Sequence, residues 1–157
     1  MKTYLFRFKI LALFLFISIA FLSCNEEDEE EKLFLETHAG SVWKFGKAED
    51  ILQVYAQINN TENNPFEIWL FDAARGCYQY ERITDDGSPE IVENRENKVQ
   101  IRIGGDSDEY AMLTLTISGN ILRVELTYFE EGEVVDEDKF ILERTSDRIA
   151  DLTICEN

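Results

Sequence analysis

The chain is poor in the side chains from which most enzyme sites are built. Its one histidine, His38, leaves no histidine pair for a metal or a proton relay. It has no phosphate-cradling glycine loop, no nucleophile elbow and no zinc-ligand spacing. Cations are also scarce: 15 Lys and Arg stand against 32 Asp and Glu, a formal net charge of −17. Such a surface repels phosphate backbones, which excludes nucleic acid as a partner. It repels anionic headgroups too, so attachment to a membrane needs something other than a basic patch. The longest apolar run, Ile10–Leu22, is short of the roughly 20 residues of a bilayer-spanning helix. Nor does any helix-period segment reach the length of a crossover helix. Together these absences predict a non-enzymatic protein with no cofactor and no metal site.

What is present begins with an address. Lys2, Arg7 and Lys9 form a positive stretch, Ile10–Leu22 an apolar one, and Ser23 is a small residue before Cys24. That order fits a signal peptide over residues 1–23. With Cys24 next, the segment resembles the leader of a bacterial lipoprotein. The resemblance implies cleavage before Cys24, acyl chains on its thiol and on the new amine, and a membrane partner reached through that anchor. One acyl chain holds a membrane marginally and two hold it stably. Glu26–Glu31 resembles the export tag of Bacteroidetes-type surface lipoproteins, which implies an outer-membrane protein displayed on the cell surface, with the periplasmic face as the alternative. Six like charges in a row also repel one another and make a disordered spacer. The expected organisation is therefore a leader (1–23), a lipidated cysteine with an acidic tether (24–32) and one folded domain (33–157).

From Ser41 onward apolar residues recur at period two, the mark of strands. Trp43 and Phe45 share a face in Ser41–Lys47; Leu52, Val54, Ala56 and Ile58 share one in Leu52–Ile58. Phe66–Phe71 and Cys77–Ile83 flank the turn at Asp72–Gly76, Asp86-Gly87 marks another turn, and Glu90–Glu93 is a short strand. Lys98–Gly104, Ala111–Ile117, Leu122–Tyr128 and Asp138–Thr145 complete the series, with turns at Ser118–Asn120 and Glu130–Glu133. Eight or nine strands joined by short loops must run antiparallel. Burying one apolar face of each calls for a barrel or a sandwich. Asp106-Ser107-Asp108-Glu109 and Asp136-Glu137-Asp138 offer oxygens to calcium, but neither completes a loop motif, and both read as solvated turns.

The domain resembles the lipocalin-like members of the calycin group. The resemblance rests on Gly40-Ser41-Val42-Trp43 at the first strand, on Arg144 at the end of the last, and on a C-terminal Ser146–Leu152 segment able to make a helical turn. It implies an all-β, antiparallel up-and-down barrel with short helical turns before the first and after the last strand. It also implies that Arg144 lies over Trp43, a contact worth roughly 0.5–2 kcal/mol.

Three cysteines occur, and with Cys24 lipidated Cys77 and Cys155 remain. In an oxidising compartment they either form a bridge or stand apart, Cys77 as a small apolar residue and Cys155 free. If the tail runs outside the barrel, Cys77 points outward, and Tyr78, Tyr80 and Arg82 then point inward as possible ligand contacts. The expected function is a lipid-anchored envelope binding protein whose barrel holds a small hydrophobic molecule. The alternative is a structural or protein-interaction lipoprotein, an inhibitor or assembly factor that meets an envelope protein through its loops and an exposed patch around Trp69 or Phe71.

Overall fold

Among the described residues the period-two pattern is realised as nine strands. In the computed structural model the described residues are 32–46, 52–83, 89–104 and 108–156. The leader, Cys24, the acidic run Glu26–Glu31, Asp86-Gly87 and Asp106-Ser107 lie outside them. A short helix α1 (Phe34–His38) precedes β1 (Val42–Phe45), β2 (Val54–Ile58), β3 (Phe66–Asp72), β4 (Cys77–Glu81), β5 (Glu90–Arg95), β6 (Lys98–Ile103), β7 (Glu109–Ser118), β8 (Ile121–Glu130) and β9 (Glu133–Thr145). A 3₁₀ turn at Ile149–Asp151 follows.

All nine strands join one antiparallel sheet in the order β4-β3-β2-β1-β9-β8-β7-β6-β5. Each strand therefore pairs with its chain neighbour, except that β4 and β5 do not meet, while β1 and β9 do. This corrects the expected closed barrel. The up-and-down order is present, but the ring is broken between β4 and β5. Periodicity dictates which face of a strand is buried; it carries no information on whether two particular edges come within hydrogen-bonding reach. Side chains close the seam instead. Asn64, Pro65 and Phe66 on one side approach Ile83, Pro89, Ile101, Ile103 and Leu113 around a residual void of only about 10 Å³.

The sheet curls around an apolar interior. Phe34 and Leu35 of α1 join Trp43, Ala56, Ile58, Phe66, Val99, Ile101, Leu113, Leu115, Leu122, Val124 and Leu142 in one buried cluster. Alternate residues of seven strands contribute, as a pleated sheet requires. Burying each of the larger side chains is worth roughly 1.5–3 kcal/mol. α1 plugs one end of the curl and is tied to β5 by the Leu35 N–H, which donates to Asn94 Oδ1 at 3.3 Å.

Two hairpins explain the long strands. Gly119 (φ 61°) leads the two-residue turn between Ser118 and Ile121, and Glu131 (φ 51°) with Gly132 (φ 80°) makes the turn between Glu130 and Glu133. Positive φ at these positions matches the right-handed twist of the flanking strands. β9 consequently starts at Glu133 rather than Asp138, and Asp136-Glu137-Asp138 lies in a strand instead of the expected solvated turn. The β8–β9 ladder carries the acidic run past the core by backbone pairing alone, a contribution that side-chain alternation does not register.

Candidate functional site

The concave face is packed solid near α1 and open at the other end. Gly46 ends β1 with φ +83°, and the Leu52 carbonyl occupies the space a side chain would need there. That close approach brings Leu52 beside Phe45. Phe45, Leu52, Val54, Ala56, Phe66, Ile68, Leu70, Val124, Phe140 and Leu142 then surround a cavity of about 240 Å³. Every one of these side chains is apolar. Ala56, Val124 and Leu142 form its buried floor, while Leu52 and Phe140 are exposed at its rim.

The cavity follows from alternation and from residue size. β2 offers Val54 and Ala56 inward, β3 offers Phe66, Ile68 and Leu70, and β9 offers Phe140 and Leu142, paired across β8 with Val124 and Leu122. Ala56 is the small member of this set, opposite Ile68 on β3 and Trp43 on β1. A long side chain at position 56 would fill the space. Chemically the site can accept hydrocarbon and exclude charge, since it offers no hydrogen-bond partner to a buried polar group. Beyond Phe140 the same face of β9 carries Asp138 and Asp136, which pair across the ladder with Leu126 and Tyr128. Burial, and after it the Asp138 and Asp136 charges, raises the Tyr128 phenol above its usual range.

The structure places the residues singled out from sequence as follows. Cys77 and Cys155 are bridged, with Cα atoms 5.1 Å apart. The Arg144 guanidinium lies 5.7 Å from the centroid of the Trp43 ring, and the indole N–H donates to Ser41 Oγ at 3.0 Å. His38 packs edge-on against Phe34, with Nε2 3.3 Å from the Glu96 carbonyl. Burial is the main cause that lowers its imidazole below the usual value. Among the described residues no cluster of three or more His, Cys, Asp or Glu side chains is placed to hold a metal ion.

Tyr78, Tyr80 and Arg82 do not line the interior. The tail does not cross the outside of the wall at Cys77; it runs in the plane of the sheet along the free edge of β4. The Tyr78 N–H donates to the Thr153 carbonyl at 2.8 Å, and the Cys155 N–H to the Tyr78 carbonyl at 2.9 Å. An in-plane tail bridges Cys77 without turning its neighbours inward. Register then sets the faces: Phe71 pairs with Tyr78, Trp69 with Tyr80 and Tyr55 with Trp69, all on the convex side. Arg82 is exposed just beyond β4.

The convex side has its own small core. Val42, Tyr55 and Trp69 are buried there with Tyr78, Ile149 and Leu152 packed against them. The expected exposed patch around Trp69 is thus absent, because the tail covers it; Trp69 is 7 % exposed. The Tyr55 hydroxyl donates to Asp147 Oδ2 at 2.6 Å, and the Tyr78 hydroxyl to Gln53 Oε1 at 3.0 Å. Burial, followed by the bond to Asp147, pushes the Tyr55 phenol up to about 12. That same bond, followed by one from Thr145, holds the Asp147 carboxyl below its usual range.

No protein-family model, no curated protein and no solved structure matches this chain.

Proposed function

We propose that the protein is a lipid-anchored envelope binding protein that holds the hydrocarbon part of a small apolar molecule in the concave cavity. The observation that carries this reading is a cavity of about 240 Å³ walled by apolar side chains alone. An apolar cavity of about 150 Å³ stays dry and takes up benzene, and pockets for drug-sized ligands begin at about 300 Å³. The space in between suits the end of an alkyl or acyl chain. Each buried methylene would contribute about 0.8 kcal/mol.

Attachment through acyl chains on Cys24, with the acidic Glu26–Glu31 tether beyond it, is supported by the order of charged, apolar and small residues before that cysteine. The outer membrane, facing the cell exterior, is the location we favour. Kinship with the lipocalin-like domains is supported by the up-and-down strand order, by the pairing of β1 with β9 and by Arg144 over Trp43. The open seam between β4 and β5 distinguishes this chain from a closed member of that group.

Native mass spectrometry of the protein extracted from its own cells tests the ligand. The expected result is a mass increment that disappears with Leu70→Asp, which places a charge in the wall. A protein free of any bound molecule that also fails to take up a neutral fluorescent hydrocarbon would refute it. Incorporation of labelled fatty acid, lost in Cys24→Ala, tests the anchor separately.

A further inference from the structure

The β9 edge carries a second binding surface that does not depend on the cavity. β1 pairs with β9 only at Glu143, Arg144 and Thr145. From Glu133 to Leu142 no strand among the described residues lies on that side. The backbone there also points the right way. The Arg144 N–H donates to the Asn120 carbonyl, towards β8. Backbone groups alternate sides along an antiparallel strand, so Leu142, Phe140 and Asp138 turn towards β8, and Ile141, Lys139 and Glu137 turn outward. The Glu137 N–H fits this assignment, because it donates to the Asp136 carboxylate at 2.8 Å instead of to β8. Every residue from Glu133 to Ile141 is exposed. Exposed edges of this length normally attract other chains.

Charge selects the occupant. Pairing the whole edge with a second copy would centre on Glu137, setting it against its counterpart and each Asp136 against an Asp138, in a chain of net charge −17. Like charges opposite one another across strands are destabilising, and opposite charges are stabilising. We propose that the edge of β9 from Glu133 to Ile141 receives an extended, lysine- or arginine-bearing segment of another protein, added as a further strand. The segment's backbone meets the outward groups of Lys139 and Ile141 and the outward carbonyl of Glu137, whose N–H already bonds the Asp136 carboxylate. Its cations lie beside Asp136 and Asp138, since Glu137 is already paired with Lys139 at 2.9 Å. An apolar residue opposite Phe140 matches the rim of the concave face.

The test uses the full chain and a labelled synthetic peptide of alternating valine and lysine. Its partner is the same peptide N-methylated at alternate residues, which keeps the charges and removes the edge-facing donors. Fluorescence anisotropy is expected to show binding of the first and at least tenfold weaker binding of the second. Lys139→Pro removes an outward N–H without touching the β8 ladder, and is expected to weaken binding at least tenfold with an unchanged circular dichroism spectrum. The double variant Asp136→Asn/Asp138→Asn, which leaves the backbone intact, is expected to weaken binding severalfold. Raising salt from about 0.1 M to 1 M, where the screening length falls from about 10 Å to 3 Å, is expected to do the same. Equal binding of both peptides would show charge attraction without strand addition and overturn the proposal. So would no binding of either. A dimer in light scattering that Lys139→Pro dissociates would assign the edge to a second copy and overturn it as well.

Discussion

Replacing Ala56 by leucine tests the cavity through two readings that move in opposite senses. Ala56 is 1 % exposed, and its methyl forms part of the cavity floor. The substitution adds three carbon atoms to a space of about 240 Å³, which accommodates them without displacing a neighbour. At about 0.8 kcal/mol per buried carbon the transfer term comes to about 2.4 kcal/mol. The space communicates with solvent past Leu52 and Phe140, and ordering the leucine side chain costs about 0.5–1 kcal/mol, so a net gain of about 1–2 kcal/mol is the working figure. Urea unfolding followed by fluorescence reads it as a higher midpoint at constant slope. Titration with a neutral fluorescent hydrocarbon should meanwhile show at least a tenfold loss of affinity. A stability loss of about 1–3 kcal/mol would indicate overpacking, and so the absence of real space. A stability gain with unchanged probe affinity would move the binding site elsewhere and refute the reasoning.

Three further outcomes follow from contacts outside the cavity. Cys77 and Cys155 are 78 residues apart in sequence, so the chain-entropy relation gives the bridge at most ~4.5 kcal/mol; unfolding with and without a reductant should show a destabilisation of a few kcal/mol, and no difference would mean the tail is held without it. Tyr55, with its phenol at about 12 against an ordinary 10.0, contributes stability that is complete below pH 10 and is lost as pH rises towards 12, roughly 2–3 kcal/mol in all. Asp147, lowered by the same bond, works in the opposite direction: its contribution is present above the ordinary carboxylate range and is lost as pH falls through its folded value. Tyr55→Phe should flatten both flanks of the stability profile, and an unaltered alkaline flank would count against the Tyr55–Asp147 bond. Trp43→Ala should cost about 3–5 kcal/mol and Arg144→Ala under about 2, because the ring is fully buried and the guanidinium only lies over it.

The sequence made the strands legible because one face of nearly all of them is apolar, and alternation reports that directly. Val54, Ala56, Phe140 and Leu142 are readable as one-face apolar residues from spacing alone, whereas both faces of Phe66–Phe71 are apolar and spacing does not choose between Ile68 with Leu70 and Trp69 with Phe71. The emptiness between the inward residues is not readable, since a cavity depends on how far facing side chains fall short of one another in three dimensions. Three other features were hidden for separate reasons. The β4–β5 seam is a matter of where two edges end. The acidic start of β9 has no alternation to betray a strand. The sides of Tyr78 and Tyr80 turned on the path of the tail, which adds a parallel stretch beside Tyr78 at Ile154 rather than crossing the wall. Short sequences of this kind look like loops.

The seam between β4 and β5 has a mechanical implication. Where a ladder of hydrogen bonds joins two strands, their separation is fixed near 4.8 Å, and a barrel so closed has one girth. Here Ile83, just beyond β4, packs against the cluster that holds Phe66, Ile101 and Leu113 of β3, β6 and β7. With β4 and β5 unpaired, no such ladder sets the distance between those two strands, and the circumference of the curl is held by side-chain packing alone.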